Sequence, residues 1–366
     1  MLIGHNKKIS LDRFIYKSLY DKDNGYYIKK NPFGKKGDFI TSPNISVLFS
    51  EMISIWLISF WENLKKPKKI NIVELGAGNG EMMSQIIKTL NNFSEISLSA
   101  NFLILEKSPI LIKIQKSKID KKKASWIRNL KEIPKAPTIF LANEFFDAFP
   151  IKQFLKKSNN WYEKYVAYKK NKFEVCDQKV SSKIIEKYLG KNIEKEKFVE
   201  YSPSAMKFVN EIANFIFKNN GGLLMIDYGF TSGKMKNTLQ SVEKHRKVSF
   251  LENPYNSDIT HLINFKMYEK EFANSNLKSL ITTQGNFLMK LGILKRAEII
   301  SKNLQFSKKA DIFYRIKRLI DAKYMGSLFK VLFVSKSKNN FNLGFKLLSQ
   351  KFLEIKNPFH IIFLID

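Results

Sequence analysis

A loop of three alternating glycines, Gly76-Ala-Gly-Asn-Gly80, limits the possible folds of this 366-residue chain more than any other feature of its sequence. An apolar run at residues 70–75 precedes the loop, and apolar residues with helical spacing follow it, from Met83 to Leu90. Glycines let the backbone turn sharply and lie against a ligand without a Cβ between them. The following helix begins with free N–H groups. A tight turn without a ligand is the alternative, but the pattern predicts a strand, a binding loop and a helix.

Strands and helices alternate along the rest of the chain. Short apolar runs predict buried parallel strands at residues 102–105, 139–142 and 223–226. A helix from Met206 to Phe217 is predicted behind Ser202-Pro203. This order predicts an α/β fold with a doubly wound, Rossmann-like sheet.

Other segments interrupt this alternation. We expect an N-terminal helical cap over residues 1–65, with a helix at 45–60 that begins at Ser42-Pro43. Two insertions are predicted, a hairpin at residues 152–176 and a polar segment at 231–275 over the carboxyl edge of the sheet. No role is predicted for the tail, residues 346–366.

Composition excludes some classes of protein. With 44% apolar residues, the chain has ample material for a core, and the longest uncharged apolar run near its start, residues 53–61, is far below the roughly 20 residues of a membrane span. Cys176 is the single cysteine, so it forms no internal disulfide, and we expect no metal site. The first residues lack an apolar signal region, which predicts a cytoplasmic protein.

The net charge of +30 invites a nucleic-acid interpretation. Only six of the 63 basic residues are Arg, however, and Lys is abundant throughout the chain. Nucleic-acid sites tend to concentrate Arg and aromatic residues in one patch. We therefore interpret the charge mainly as a result of codon bias, which increases the number of lysines over the whole surface.

Two acids at strand ends indicate the ligand of the glycine loop. Dinucleotide-binding loops have G-x-G-x-x-G spacing, whereas this loop has G-x-G-x-G, and Glu74 would oppose a pyrophosphate. Glu74 suits a ligand with an ammonium group, and S-adenosylmethionine has one. Glu106 ends the next strand, where a carboxylate accepts ribose hydroxyls. Its distance of 32 residues from Glu74 exceeds the usual ~20, and the loop-like residues 91–100 can absorb the excess.

The fourth strand ends in Asn143-Glu-Phe-Phe-Asp147, at the edge where a substrate would meet the reactive end of the cofactor. Enzymes that methylate DNA bases carry Pro-Pro-aromatic there, to hold a flipped base. Glu144 replaces the first proline, and paired carboxylates such as Glu144 and Asp147 can hold a guanidinium in a bidentate fork. A polar strand end with core phenylalanines is the alternative. Asp258 and His261 are weaker catalytic candidates.

Eight motifs occur in order along the chain: Gly37-Asp-Phe-Ile-Thr-Ser-Pro, Val73-Glu-Leu-Gly-Ala-Gly-Asn-Gly, Asn143-Glu-Phe-Phe-Asp-Ala-Phe-Pro, Glu200-Tyr-Ser-Pro, Ile226-Asp-Tyr-Gly, Asp258-Ile-Thr-His, Thr283-Gln-Gly-Asn-Phe-Leu and Met325-Gly-Ser-Leu-Phe-Lys-Val-Leu. With this set of motifs the chain resembles the MidA-type class I methyltransferases, relatives of the mitochondrial arginine methyltransferase that assists assembly of respiratory complex I. The similarity extends from about residue 8 to Phe345. Lys244, before His245, departs from the family's usual glycine.

The resemblance implies a seven-stranded class I methyltransferase sheet over residues 66–345, with an inserted substrate-side subdomain. It implies methyl transfer from S-adenosylmethionine to an arginine of the complex I subunit that carries part of the quinone site. The expected cofactor-binding residues are Glu74, Gly76, Gly78, Gly80, Glu106, Asp38, Thr41, Ser42, Trp126 and Asn143. The expected catalytic residues are Glu144, Asp147, Asn143 and His261.

Two other functions remain open. A non-catalytic assembly chaperone could retain the cofactor fold, but it would not need the acid pair. A nucleic-acid methyltransferase is favoured by the charge and opposed by the missing Pro-Pro-aromatic motif. The sequence therefore favours a protein substrate, no specific nucleic acid and no transmembrane segment.

Overall fold

The computed structural model describes residues 2–4, 7–34, 37–190 and 196–346. The predicted tail therefore lies outside the described residues, apart from Lys346. None of the described helices is long and apolar enough to cross a membrane. The described strands are β1 (Lys8–Ser10), β2 (Ile70–Leu75), β3 (Ala100–Leu105), β4 (Ala124–Ile127), β5 (Thr138–Asn143), β6 (Lys152–Lys157), β7 (Asn160–Lys169), β8 (Lys172–Val180), β9 (Phe198–Tyr201), β10 (Gly221–Phe230), β11 (Gln240–Glu243), β12 (Arg246–Lys247), β13 (Asp258–Thr260), β14 (Ile263–Asn264), β15 (Leu277–Thr283) and β16 (Phe329–Lys336).

The described α-helices vary from single turns to 17 residues, and one 3₁₀ turn lies at Leu130–Glu132. They are α1 (Leu11–Tyr20), α2 (Tyr26–Lys29), α3 (Ser42–Ile45), α4 (Val47–Asn63), α5 (Glu81–Leu90), α6 (Ser94–Ser99), α7 (Pro109–Lys118), α8 (Ser182–Leu189), α9 (Pro203–Asn219), α10 (Phe265–Asn274), α11 (Gln284–Lys290), α12 (Ile293–Ser301), α13 (Phe306–Ile320) and α14 (Met325–Leu328).

A mixed sheet forms the centre of the molecule. Its main path has seven strands in the order β15-β16-β10-β5-β2-β3-β4, with the two-residue β14 beside β10. Strands β4, β3, β2, β5 and β10 are parallel, while β16 runs antiparallel between β10 and β15. The predicted seven-stranded, doubly wound sheet is therefore confirmed. Its order reverses between β2 and β5, so a crevice opens at the carboxyl ends of these two strands.

Helices cover both faces of this sheet because strand side chains alternate between the faces. Ile72 packs in one core with α4, α5 and α11–α13, and Val73 packs in a second core with α9 and α10. Helix α4 is buried along most of its length, so it belongs to this layer rather than to a separate cap. Its start also differs from the prediction: Ser46 in extended conformation separates α3 from α4, and its hydroxyl caps α4 by accepting the Leu48 N–H.

The predicted hairpin is confirmed and is part of a larger antiparallel sheet. Strands β7 and β8 flank a turn at Lys170 and Asn171, and the sheet order is β1-β7-β6-β9 with β8 on β7. The insertion therefore extends beyond residue 176, to β9. Residues 91–100, predicted as a loop, contain the short helix α6.

A small sheet, β12-β11-β13, lies in the second predicted insertion. The insertion ends earlier than predicted, because Phe265 and Phe272 of α10 pack in the main core. Lys244 and His245, in the turn from β11 to β12, have φ of 49° and 61°. A non-glycine residue at such angles is uncommon, and glycine would adopt the φ of position 244 more readily than lysine. Asp258 and Thr260 of β13 face the crevice of the main sheet.

Candidate active site

The glycine loop joins β2 to α5, as predicted, in a conformation that requires glycine. Gly76, Gly78 and Gly80 have φ of 67°, 51° and 79°, which L side chains rarely adopt. A Cβ on Gly76 would lie 2.7 Å from Cδ2 of Phe145, and one on Gly78 would lie 3.3 Å from the Phe33 ring. Gly76 and Gly78 line the main cavity of the crevice, so the loop backbone is exposed to a ligand there.

Glu106, at the end of β3, also lines this main cavity. Its Oε1 accepts the N–H groups of Lys107 and Ser108 at 2.8 and 2.9 Å, and its Oε2 accepts Nε2 of Gln115 at 3.1 Å. The same amide nitrogen donates to the carbonyl of Gly78 at 2.9 Å. Burial raises the pKa of Glu106. Gln115 thus fixes the acid relative to the glycine loop, and the acid keeps lone pairs for ligand hydroxyls.

Glu74 lies behind the loop and is only 3% exposed. Its Oε2, like Oδ1 of Asn143, is buried without a hydrogen-bond partner among the described residues. Burial raises the pKa of Glu74 to about 8. Both side chains line a smaller cavity that shares Gly76 and Gly78 with the main one. A ligand ammonium would supply the missing charge and donors, so these residues fit S-adenosylmethionine.

Glu144 lines both cavities. Its φ of 50° places a non-glycine residue in the left-handed region, a strain that concentrates at functional sites. Its Oε1 accepts the Ser42 N–H and Nδ2 of Asn143, both at 3.2 Å. Burial, followed by repulsion from Asp147, raises the pKa of Glu144 to about 8. The carboxyl therefore borders the smaller cavity, with Glu74 and Asn143, and also the part of the main cavity with Asp147 and Asp258, which we call the acceptor side of the crevice.

Asp147 is 5% exposed and lines the main cavity. Its Oδ2 accepts the Tyr228 hydroxyl at 2.5 Å, while its Oδ1 has no partner among the described residues. The fully buried Asp227 fixes the loop by accepting the N–H groups of Phe146 and Asp147 at 3.2 and 3.3 Å. Burial raises the pKa of Asp147 to about 6. Asp147 therefore offers one free oxygen to a ligand.

Asp258 of β13 adds a third carboxyl to the acceptor side. Its Oδ1 accepts the Tyr27 hydroxyl at 2.8 Å. Burial, followed by repulsion from Asp147, raises its pKa to about 7. Among the described residues that line the main cavity, Lys107 is the only basic one, against four acids. A chain with a net charge of +30 therefore has an acidic crevice, which suits a cationic acceptor.

His261 lies apart from this crevice. Asp258 and Thr260 point into the main cavity, and the alternation of side chains directs the next residue away from it. His261 lines a small cavity with Glu200 and Tyr268, and burial lowers its pKa to about 4. The His261 backbone N–H donates to the carbonyl of Asp147 at 3.1 Å, so the two residues are neighbours, but the imidazole does not line the main cavity with the other predicted catalytic side chains.

Of the other residues predicted to contact the cofactor, Thr41 lies in a cavity wall, whereas Ser42 and Trp126 support other residues of the site. Thr41 lines the smaller cavity. Ser42 supports Glu144 through its N–H, while its hydroxyl donates to Oε1 of Gln284 at 3.3 Å. Trp126 donates its indole N–H to Oε1 of Gln115 at 2.8 Å and lies behind that residue rather than in the wall.

Asp38 is also outside the walls of both cavities. It accepts the Tyr26 hydroxyl at 2.6 Å, the Lys30 ammonium at 2.7 Å and the Lys244 N–H at 2.8 Å. Burial alone would raise its pKa, but these hydrogen bonds hold the pKa of Asp38 below its usual value. Asp38 therefore fastens the N-terminal loop to the turn after β11.

Sequence reasoning missed several residues of the site. Tyr20 and Tyr27 line the crevice from the N-terminal helices, and nothing in their local pattern indicates a site. Asp227 and Tyr228 form part of the quoted Ile226-Asp-Tyr-Gly motif, so an acid and a tyrosine at the end of a buried strand were an available signal. Gln115 lies in α7, and no feature of the sequence of this helix indicates a site.

Comparison with known proteins identifies related chains. Residues 52–283 match the model of a family described as "Putative S-adenosyl-L-methionine-dependent methyltransferase". Protein arginine methyltransferase NDUFAF7, mitochondrial, from Danio rerio is 28% identical over 88% of this chain and 82% of its own length. The homologue of that protein in Caenorhabditis elegans is 30% identical over 74% of this chain and 70% of its own length.

A solved structure has the same fold. The crystal structure of a protein from Burkholderia thailandensis bound to S-adenosyl-homocysteine is 20% identical, with a TM-score of 0.75, over 93% of this chain and 89% of that one. The native structure of a protein from the same organism superposes with a TM-score of 0.75 at 21% identity.

Proposed function

The chain belongs to a family of S-adenosyl-L-methionine-dependent methyltransferases, and from this premise we propose that it methylates arginine side chains of a protein. The observation that carries the proposal is the acidic crevice beside the glycine loop, where Glu144, Asp147 and Asp258 have no basic partner among their described hydrogen bonds. The names of the relatives in Danio rerio and Homo sapiens, protein arginine methyltransferases, support it.

The cofactor side of the crevice comprises residues from β2, β3 and β5. Bound S-adenosylmethionine supplies a methyl group that its sulfonium already activates. Glu74 and the free Oδ1 of Asn143 would hold its ammonium, and Glu106 would accept its ribose hydroxyls. The backbone of Gly76 and Gly78 allows close approach. Glu144 adjoins these residues, because it lines both the main and the smaller cavity.

The acceptor side has to orient and desolvate a guanidinium, because this group has a pKa above ~12 and a delocalised lone pair. Glu144 and Asp147 can hold its N–H groups, which aligns one nitrogen with the methyl group. When the N–C bond forms, the bond between the methyl carbon and the sulfonium sulfur breaks, a neutral thioether (S-adenosylhomocysteine) is left, and the nitrogen must lose a proton. The carboxylate of Glu144, whose pKa burial raises to about 8, is positioned to accept that proton near neutral pH.

The identity of the acceptor is a finer proposal. The resemblance in the sequence motifs supports an arginine of a respiratory complex I subunit. Cytoplasmic localisation likewise stays a prediction. The rival functions, a nucleic-acid methyltransferase and a SAM-binding chaperone without turnover, have less support, because a strained Glu144 beside two more carboxyls is a costly arrangement for a scaffold and a repulsive one for phosphates.

Radiolabelled S-adenosylmethionine and a cell lysate test the proposal. We expect label in protein, at arginine, and a loss of at least one power of ten in turnover for Glu144→Gln with cofactor affinity nearly intact, since a charge-assisted hydrogen bond contributes ~1.5 to 3 kcal/mol. Label in nucleic acid at a matching rate, or unaltered turnover in Glu144→Gln, would contradict it. Identification of the labelled protein then tests the complex I proposal.

A further inference from the structure

Two tyrosine–aspartate pairs, whose members are far apart in the sequence, lie in the wall of the main cavity. Tyr228 donates to Oδ2 of Asp147 at 2.5 Å, and Tyr27 donates to Oδ1 of Asp258 at 2.8 Å. All four residues line the main cavity. In the first pair, Tyr228 lies in β10 and Asp147 in the loop after β5. In the second pair, Tyr27 lies in α2 and Asp258 in β13. Each aspartate thus has one oxygen occupied by a phenol.

Ring contacts hold the side chains of Tyr27 and Tyr228 in place. The ring of Tyr27 stacks on that of Tyr20 at a centroid distance of 5.6 Å, and the Tyr20 hydroxyl donates to the carbonyl of Ala148 at 3.0 Å. The ring of Tyr228 packs against Phe329 at 5.4 Å. Since neither phenol can turn without losing these contacts, each one fixes the rotation of its carboxyl.

The charges around these pairs are negative. Asp258 faces Asp147 and, farther off, Asp38, which Lys30 neutralises. Asp147 lies close to Glu144 and to the buried Asp227. A cation from outside the chain is what would let these carboxyls ionise together. The free Oδ1 of Asp147 is the buried acceptor atom available to it.

We infer that Asp258 is a third carboxylate for the substrate arginine, and that Tyr27 and Tyr228 are positioning residues that aim Asp258 and Asp147 at its guanidinium. The inference rests on the proposed function. A planar guanidinium has five donors in a fixed fork, so it needs more acceptors than Glu144 and Asp147 leave free. The tyrosines serve a second purpose, because a phenol that donates to a carboxylate stabilises its charged form.

Titration of the aspartates tests the positioning role without requiring turnover. In protein labelled with ¹³C-aspartate, we expect Tyr27→Phe and Tyr228→Phe to move the midpoints of Asp258 and Asp147 to higher pH, by about half a unit to one unit. Tyr26→Phe is the matched control, because Tyr26 donates to Asp38 outside the cavity wall. It should leave the midpoint of Asp147 unchanged and move that of Asp258 less than Tyr27→Phe does, since Tyr26 acts on Asp258 only indirectly, through Asp38. Absence of a shift in both cavity variants, or an equal shift in the control, would overturn the positioning role.

Binding of N-acetyl-arginine amide in the presence of S-adenosylhomocysteine tests the role of Asp258. We expect Asp258→Asn to weaken binding at least tenfold and each tyrosine variant to weaken it severalfold at pH 7, with wild-type affinity for S-adenosylhomocysteine. The neutral citrulline analogue should bind poorly to every variant. Equal arginine affinity in wild type and Asp258→Asn would refute the inference. A wild type that binds the arginine probe but labels no arginine in protein would instead contradict the proposed function.

Discussion

Replacing Glu74 by glutamine should make the protein more stable and its cofactor affinity lower. Glu74 has an ordinary pKa of 4.5 and a native pKa of about 8, because burial penalises its charged form. Between these values the native state binds more protons than the unfolded state, so wild-type stability falls as pH rises through the window. At about 1.4 kcal/mol per pH unit, the wild type loses up to ~3 kcal/mol by pH 7. Glutamine does not titrate, so Glu74→Gln lacks that loss.

The same substitution removes the negative charge that the cofactor ammonium would meet. Ammonium binding makes ionisation of Glu74 favourable, and a charge-assisted hydrogen bond contributes ~1.5 to 3 kcal/mol. We therefore expect the dissociation constant of S-adenosylmethionine to rise about ten- to a hundredfold. A rise in stability together with a loss of affinity is typical of a residue kept for binding.

Thermal unfolding from pH 5 to 8 and calorimetry with S-adenosylmethionine measure both effects. Glu51→Gln is the control, because Glu51 is an equally buried carboxylate whose Oε2 accepts Nε of Arg296 at 2.9 Å, away from the crevice. It should lower stability and leave cofactor affinity unchanged. The reasoning about Glu74 fails if Glu74→Gln is no more stable than wild type at pH 7, or if its cofactor affinity matches wild type.

Four further outcomes are expected. Gly76→Val should abolish S-adenosylmethionine binding, because its Cβ would collide with Phe145 at a φ of 67°; calorimetry that detects unchanged affinity, or NAD binding to the wild type, would contradict the cofactor site. The apparent kcat/KM for a protein acceptor should rise with pH between about 6 and 8, as Asp147, Asp258 and Glu144 ionise; a flat pH–rate profile would count against a carboxylate-held cation. His261→Gln should retain turnover within a few-fold, since the His261 side chain lines a separate cavity. A loss of more than tenfold with an intact fold would contradict the conclusion that His261 has no direct catalytic role. RNA and DNA should bind weakly, without sequence preference, and dissociate near physiological salt; a salt-resistant complex would show a dedicated site.

The sequence predicted those parts of the fold whose signal is local. The apolar run at residues 70–75 and the glycines after it specify β2, the loop and the start of α5, because strand burial and positive φ leave a mark on each residue. The start of α4 was misplaced, because Ser42-Pro43 and Ser46 are both good capping signals and only packing of the chain decides between them.

The residues of the candidate site likewise divide into those that the local sequence predicts and those that depend on distant contacts. Glu74 lies near the carboxyl end of β2, and Glu106 and Glu144 directly follow β3 and β5. Their approach to one crevice therefore follows from the sheet topology. Trp126 and Asp38 were assigned to the cofactor, yet their hydrogen bonds connect protein segments. Tyr27 was missed because its partner lies 231 residues away in the chain. Contacts of that separation leave no periodic pattern in the sequence.

The separation in sequence also sets an order of assembly for the crevice. Glu74, the glycines, Glu106 and Gln115 lie within about 40 residues of chain, so the cofactor half needs only short loop closures. The acceptor half joins α1 and α2 to Ala148 and Asp258, across 128 and 231 residues. Closing such long loops costs more conformational entropy, so we expect these contacts to form later in folding than those of the cofactor half. Since Asp258 is synthesised long after Tyr27, we expect the nascent chain to form the cofactor half of the crevice before the acceptor half.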